Sequence, residues 1–250
     1  IHRFSNDPVN LCGTLYWDVQ RLFFEIKQGI TKAVHQGGFD AIGIDTWGVD
    51  FGLLDAHGQL VANPVHYRDE RTVGMMEKAY EKVPQQELYD RTGIQLMRLN
   101  TVFQLVSLVE NRPDLLERAE TMLLMPDLLA YFLTGAKYAE YSEVSTTQML
   151  DPKTGDWAYD LLERLGIPTR ILPKIIDPGT PYGSLRADIC EELGCPQVPV
   201  IAVCTHDTGS AVAAVPSQKD DFIYISGGTW ALFGTDLMAP FINEPARRFH

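Results

Sequence analysis

Apolar residues at Val19, Leu22, Phe23, Ile26, Ile30 and Val34 fall three and four positions apart, the spacing of one helical face. They predict a helix over Trp17–Gln36, stopped by Gly37-Gly38. Ahead of it, Ile1–Val9 reads as an edge strand. Asp40–Thr46 is a short apolar run with β-branched residues and predicts a buried strand. Asp50–Leu54 and Leu60–His66 flank the turn signal Asp55-Ala56-His57-Gly58 and predict a hairpin. Helical spacing then dominates, over Thr72–Val83, Pro84–Thr92, Thr101–Asn111, Asp114–Arg118, Pro126–Leu133 and Asp156–Leu165. Asp177–Gly183 reads as a loop, Ala187–Leu193 as a helix and Pro199–Cys204 as a buried strand. A short helix over Ser210–Val215 and a polar connector lead to two last strands, Phe222–Ser226 and Thr229–Gly234, joined at Gly227-Gly228. This order predicts an α/β fold with a mixed sheet and a long helical insertion. The one boundary falls at Pro216–Asp220.

Composition narrows the classes. The chain has 250 residues, enough for one or two domains, with 45% hydrophobic and 22% charged residues. Its net charge of −12 repels phosphate backbones and anionic lipid, which argues against nucleic acid and membrane surfaces as partners. No apolar run approaches the roughly 18 residues of a membrane-spanning helix. Cys12, Cys190, Cys195 and Cys204 form no C-x-x-C pair and read as reduced, mostly buried thiols of a cytoplasmic protein. Ile1 opens the sequence and Asn243–His250 closes it without a finishing element, so both ends read as cuts through a larger protein.

Four places hold candidate chemistry. The first is the strand-to-helix junction His206-Asp207-Thr208, since ligands of α/β proteins collect beyond the carboxyl ends of strands. Asp207 is there either a helix N-cap or a catalytic or ligand-binding carboxylate. The second is Ser226-Gly227-Gly228-Thr229, either a plain hairpin turn or a concavity of N–H groups for an anion. The third is Asp45-Thr46-Trp47-Gly48-Val49-Asp50, two carboxylates around a glycine that permits close approach. Trp47 either stacks on a sugar or fills the core. The fourth, Tyr67–Thr72, reads as a solvated, salt-bridged corner. No G-x-x-x-x-G-K-[ST], G-x-G-x-x-G or G-x-S-x-G motif occurs, so P-loop, Rossmann and α/β-hydrolase chemistry are unsupported.

Taken together, Ile42–Asp55 (IGIDTWGVDFGLLD), His66–Thr72 (HYRDERT), Met125–Gly135 (MPDLLAYFLTG), Glu140–Asp151 (EYSEVSTTQMLD), Val203–Pro216 (VCTHDTGSAVAAVP) and Tyr224–Gly234 (YISGGTWALFG) resemble the FGGY family of carbohydrate kinases, in the family's order. The resemblance implies two actin-like (ribonuclease-H-like) domains around a cleft. It implies a sugar-binding domain over Ile1–Pro216, truncated at its start, and the opening of an ATP-binding domain over residues 217–250. The implied reaction moves the γ-phosphoryl of ATP, with Mg²⁺, to the C1 hydroxyl of L-rhamnulose. Asp207 is then the catalytic base. His206, Thr208, Trp47 and Gly48 contact the sugar, and Thr229 with Gly228 contacts the ATP phosphates. No residue is assigned to the metal. The sequence departs from the family in lacking the opening D-x-G-x-x-x-x-R hairpin. It also reads Ser226-Gly227 where Ser-Ser is expected. The chain alone is thus expected to be inactive, with an uncovered apolar surface that promotes self-association. The alternatives are a family member acting on xylulose, fuculose or glycerol, or a non-catalytic module that binds sugar or only folds.

Overall fold

The chain opens on a tight hairpin in the computed structural model, which describes residues 1–217, 219, 222–228 and 231–248. Strands β1 (Val9–Leu11) and β2 (Thr14–Tyr16) pair antiparallel across Cys12-Gly13, both with positive φ. Residues 1–8 form no strand, so the expected edge strand is displaced. The physical reason is Asn6-Asp7-Pro8: Pro8 has no N–H for a ladder, and the three favour a turn. His2 instead reaches Glu25, Nε2 to Oε2 at 2.6 Å.

Helix α1 (Val19–His35) starts where the Asp18 side chain accepts the N–H of Arg21 at 3.0 Å. It buries Val19, Leu22 and Ile30 and ends before Gly37 and Gly38, much as its apolar spacing predicts. Strand β3 (Ile42–Gly43) follows, then β4 (Phe51–Leu54). Helices α2 (Met75–Tyr80), α3 (Gln85–Thr92), α4 (Thr101–Asn111) and α5 (Pro113–Arg118) form the helical insertion. Strand β5 (Thr121–Leu124) then pairs antiparallel with β4, Phe51 opposite Leu124. On the other edge of β4 the expected hairpin is shortened: Leu54 bridges Leu60, and the Val61 N–H donates to the Leu53 carbonyl at 2.8 Å. Every residue of β4 and β5 is buried. The apolar β5 suits that position, whereas Asn63 and Pro64 end the ladder beyond Val61.

Helix α6 (Met125–Thr134) closes on Gly135 at φ 84°. Next come β6 (Tyr138–Glu140) and the single turn α7 (Tyr141–Val144). Strands β7 (Leu150–Asp151) and β8 (Asp156–Trp157) form a small hairpin before α8 (Tyr159–Leu165). The helix expected from Asp156 starts three residues late because the Trp157 indole is drawn into the core, donating to the Pro173 carbonyl at 2.9 Å. Strand β9 (Lys174–Ile176) runs parallel to β6, and β10 (Pro181–Ser184) occupies the expected loop. Helix α9 (Ala187–Leu193), strand β11 (Pro199–Ile201) and helix α10 (Asp207–Ala213) follow. The described part ends with the hairpin β12 (Ile223–Gly227) and β13 (Ala231–Thr235) and helix α11 (Glu244–Arg248).

Sheet β10-β11-β3 is mixed: β11 runs antiparallel to β10 and parallel to β3. The largest core cluster of the described residues includes Phe103, Leu105 and Val106 of α4 together with Leu161, Leu162 and Leu165 of α8. A second lies between α1, α6, α9 and β11. Of the cysteines only Cys195 is buried; Cys12 is exposed on the first hairpin, against the expectation of mostly buried thiols. Among the described residues no helix is long and apolar enough to cross a membrane.

Candidate functional site

Parallel pairing brings the carboxyl ends of β3 and β11 to one edge of the sheet. The two chains stay in register beyond the strands. The Thr46 N–H donates to the Thr205 carbonyl at 2.9 Å, and the Asp207 N–H to the Thr46 carbonyl at 2.8 Å. Asp207 is therefore one backbone hydrogen bond and two residues from Gly48. His206 is the N-cap of α10 and Asp207 its first helical residue, so the capping alternative for Asp207 is corrected. The Asp207 carboxylate is largely exposed. It accepts the Thr208 hydroxyl at 3.2 Å, and His206 Nε2 lies 3.7 Å from the same oxygen. Burial pushes the His206 imidazole below its ordinary pKa, against the pull of Asp207 and Glu140.

Asp207 lies at the rim of a cavity of about 870 Å³. Asp45, Thr46, Trp47, Tyr67 and Trp17 line the same cavity, and α1 and β3 supply its apolar depth through Ile26, Ile30 and Ile42. Trp47 thus faces the cavity and packs on Trp17, ring centroids 4.0 Å apart. Gly48 sits behind this wall. Gly228 lies exposed after β12, outside the cavity lining, and Thr229 falls outside the described residues.

Backbone strain marks the turn after Trp47. Val49 has φ 71°, a conformation that β-branched residues rarely adopt and that costs about 1–3 kcal/mol. Three side chains hold it there. The Val49 N–H donates to Thr146 Oγ1 at 3.0 Å, while its carbonyl accepts the Thr101 hydroxyl at 2.7 Å and Gln104 Nε2 at 3.3 Å. A Cβ on Gly48 would stand 2.9 Å from Thr146 Cγ2, so this residue must lack a side chain.

The segment after β6 braces the other half of the site. Glu140 Oε2 accepts the Thr205 N–H at 3.0 Å, the Thr205 hydroxyl at 2.7 Å and the Ser142 hydroxyl at 2.5 Å. Ser142 Oγ in turn accepts the His206 N–H at 3.2 Å. Beneath lie buried carboxyl groups. Asp127 accepts the Tyr182 hydroxyl at 2.5 Å and the Glu140 N–H at 3.1 Å, while its Oδ2 has no partner among the described residues. Among them neither carboxyl oxygen of the fully buried Glu143 has one either. Burial first, then the neighbouring Asp127, Glu140, Asp207 and Asp50, pushes Glu143 well above the carboxylate range. Glu140, Ser142, Thr146 and Gln104 are site residues that composition and spacing did not single out. The run EYSEVSTTQMLD signalled the segment of Glu140, Ser142 and Thr146; Gln104 lies outside it, on the helix expected over Thr101–Asn111. Among the described residues no three His, Cys, Asp or Glu side chains are grouped to hold a metal ion.

The arrangement defines an α/β domain with a cleft at the carboxyl ends of parallel strands and a carboxylate at its rim. The chain belongs to the FGGY family of carbohydrate kinases, whose N-terminal domain matches residues 6–214. It is 43% identical to the rhamnulokinase of Oceanobacillus iheyensis over 247 residues, 98% of this chain and 52% of that protein. It is 42% identical to the rhamnulokinase of Bacteroides thetaiotaomicron over 244 residues, 97% of this chain and 50% of that protein. The chain thus spans about half the length of these relatives. Among solved structures it resembles a ligand-bound xylulose kinase from Lactobacillus acidophilus, with TM-score 0.88 and 19% identity over 97% of this chain and 50% of that one. A carbohydrate kinase from Novosphingobium aromaticivorans gives TM-score 0.79 and 23% identity over 91% and 50%. The fold is the actin-like, ribonuclease-H-like α/β fold that the resemblance implied.

Proposed function

We propose that the chain is the sugar-binding portion of an ATP-dependent kinase that phosphorylates the C1 hydroxyl of L-rhamnulose. The observation that carries this reading is Asp207, held at the cavity rim one hydrogen bond from the Thr46-Trp47-Gly48 turn, in a chain 42–43% identical to rhamnulokinases along nearly its whole length. Residues 1–216 are read as the sugar-binding domain and residues 217–250 as the start of the nucleotide-binding one.

Phosphoryl transfer passes through a loose transition state, so positioning and charge matter more than covalent chemistry. In this reading Asp207 takes the proton of the sugar hydroxyl and points its oxygen at the phosphorus. Thr208, already bonded to the carboxylate, and His206 hold the sugar beside it. Trp47 offers a ring face to the sugar, and the Gly48 backbone belongs to the same wall. Mg-ATP is the second substrate, approached through the β12–β13 hairpin, where Gly228 and Thr229 contact the phosphates. The described side chains offer no grouped metal site, so no step is assigned to a protein-held metal.

Calorimetric titration of the 250-residue chain with L-rhamnulose, xylulose, fuculose and glycerol is expected to rank L-rhamnulose first. Preference for another of the four overturns the assignment of sugar while leaving the family intact. Because the chain spans half the relatives' length, it is expected to bind sugar without turning over ATP. In a chain of the relatives' full length, Asp207→Asn is expected to lower kcat at least 10²-fold with little change in sugar KM, the size of an acid–base contribution. Retention of more than about a third of kcat in a coupled ADP-release assay removes Asp207 from the chemistry.

A further inference from the structure

Asp50 is wholly buried, yet it is tied to the cavity at three points. One oxygen, Oδ2, accepts the Trp17 indole N–H at 2.6 Å, the Trp47 indole N–H at 3.1 Å and the Tyr67 backbone N–H at 3.2 Å. These three donors belong to separate segments, and all three residues line the cavity. The other oxygen accepts Gln104 Nε2 at 3.0 Å, and Gln104 Oε1 accepts the Arg71 guanidinium at 2.6 Å. The rings themselves form a continuous stack. Trp47 lies on Trp17, Trp17 on His66 with centroids 4.1 Å apart, and His66 on Tyr67 at 4.5 Å.

A buried carboxylate is costly where an apolar side chain fits. Here it does something an apolar group cannot: it makes the orientation of two indoles and one backbone turn depend on a single atom. Flat aromatic faces take the apolar face of a sugar ring, and their usefulness depends on how they are held.

We propose that Asp50 is a positioning residue for the sugar: through one carboxylate oxygen it sets the aromatic wall of Trp17, Trp47 and Tyr67, and with it the affinity of the cleft. This rests on reading the cleft as a sugar site. Asp50 touches no substrate and takes no part in proton transfer.

The hydrogen-bond polarity supplies a sharp test. Asn at position 50 keeps the shape but cannot satisfy both sides. If its carbonyl meets the indoles, its NH₂ meets the NH₂ of Gln104, donor against donor. Trp17→Phe tests the other end of the same contact: it keeps a ring in the stack and removes the N–H that Oδ2 accepts.

L-rhamnulose is titrated calorimetrically into the wild-type chain, Asp50→Asn and Trp17→Phe, below the melting temperature of each. Asp50→Asn is expected to weaken binding about tenfold or more, and Trp17→Phe about threefold or more. Wild-type affinity in a folded Asp50→Asn chain, whatever its melting temperature, overturns the proposal and leaves the sugar site standing. So does wild-type affinity in a folded Trp17→Phe chain. If Asp50→Asn does not fold, Trp17→Phe carries the test: weakened binding supports the proposal and wild-type affinity overturns it. A wild-type chain that binds none of the four sugars overturns the reading of the cleft and this proposal with it.

Discussion

Gly48 and Glu143 show at single positions how tightly the ground beneath the cleft is built. Thr146 stands where a side chain on Gly48 would go. Gly48→Ala is expected to lower stability by about 1–3 kcal/mol, the cost of forcing atoms into a packed site, and to weaken sugar binding. Adding Thr146→Ser, which deletes the methyl group met first, is expected to restore part of both, as chemical denaturation and calorimetry will show. Glu143 carries a different burden. Its carboxyl group is held protonated far above the ordinary value of 4.5 that it regains on unfolding. The folded state therefore binds the extra proton, and the stability this gives is complete below about pH 4.5 and lost as pH rises toward the folded-state pKa. Glu143→Gln, neutral at every pH, is expected to melt higher than wild type at pH 8 and to show a flatter profile between pH 5 and 8. Asp207 and Gly48 were legible in the sequence because strand–Asp–helix and Trp-Gly are local patterns. Asp50 was legible as one of two carboxylates around Gly48 but its role was not, and Thr146 and Glu143 stayed hidden, since these roles arise only when Trp17, Gln104, Val49 and Asp127 arrive from elsewhere in the chain.

Helix α4 works as a clamp on the strained turn, through Thr101 and Gln104 on one of its faces. Thr101→Val keeps the shape and removes the shorter of two donors to the Val49 carbonyl, so urea denaturation is expected to show a loss of about 0.5–1.5 kcal/mol. Sugar affinity is expected to fall with it as Val49 relaxes. Elements with a long period were the readable ones: α1, α3, α4 and α9 lie within one or two residues of their apolar spacing. Short strands were not. Thr121–Leu124 runs straight into the apolar start of α6, so no change of period marks the boundary. Tyr138–Glu140 and Lys174–Ile176 are three residues each, too short for alternation to register. The hairpin expected around Asp55–Gly58 is present but short: Leu54 bridges Leu60 and the Val61 N–H reaches the Leu53 carbonyl, Asn63 and Pro64 stop the ladder beyond, and β5 takes the other edge of β4.

At the scale of the molecule, apolar surface and topology have separate consequences. Hairpin β12–β13 places Ile225 opposite Phe233 on one face, 76% and 74% exposed. An apolar face of this kind favours association. Ile225→Ser/Phe233→Ser is expected to shift sedimentation toward the monomer without changing the melting temperature, because neither side chain is in the core. Topology bears on time. The edge that carries Asp207 exists only where β3 meets β11, two strands divided by most of the sequence. Contacts of such separation form slowly, since a long loop must close before they yield anything. A growing chain holds Trp47 and Gly48 early but has no counterpart for them until the β11 segment has been synthesised. If the cleft is the proposed sugar site, competence to recognise a ligand is thus switched on late and all at once, and a sugar present during refolding is expected to trap the finished form without guiding the steps that lead to it.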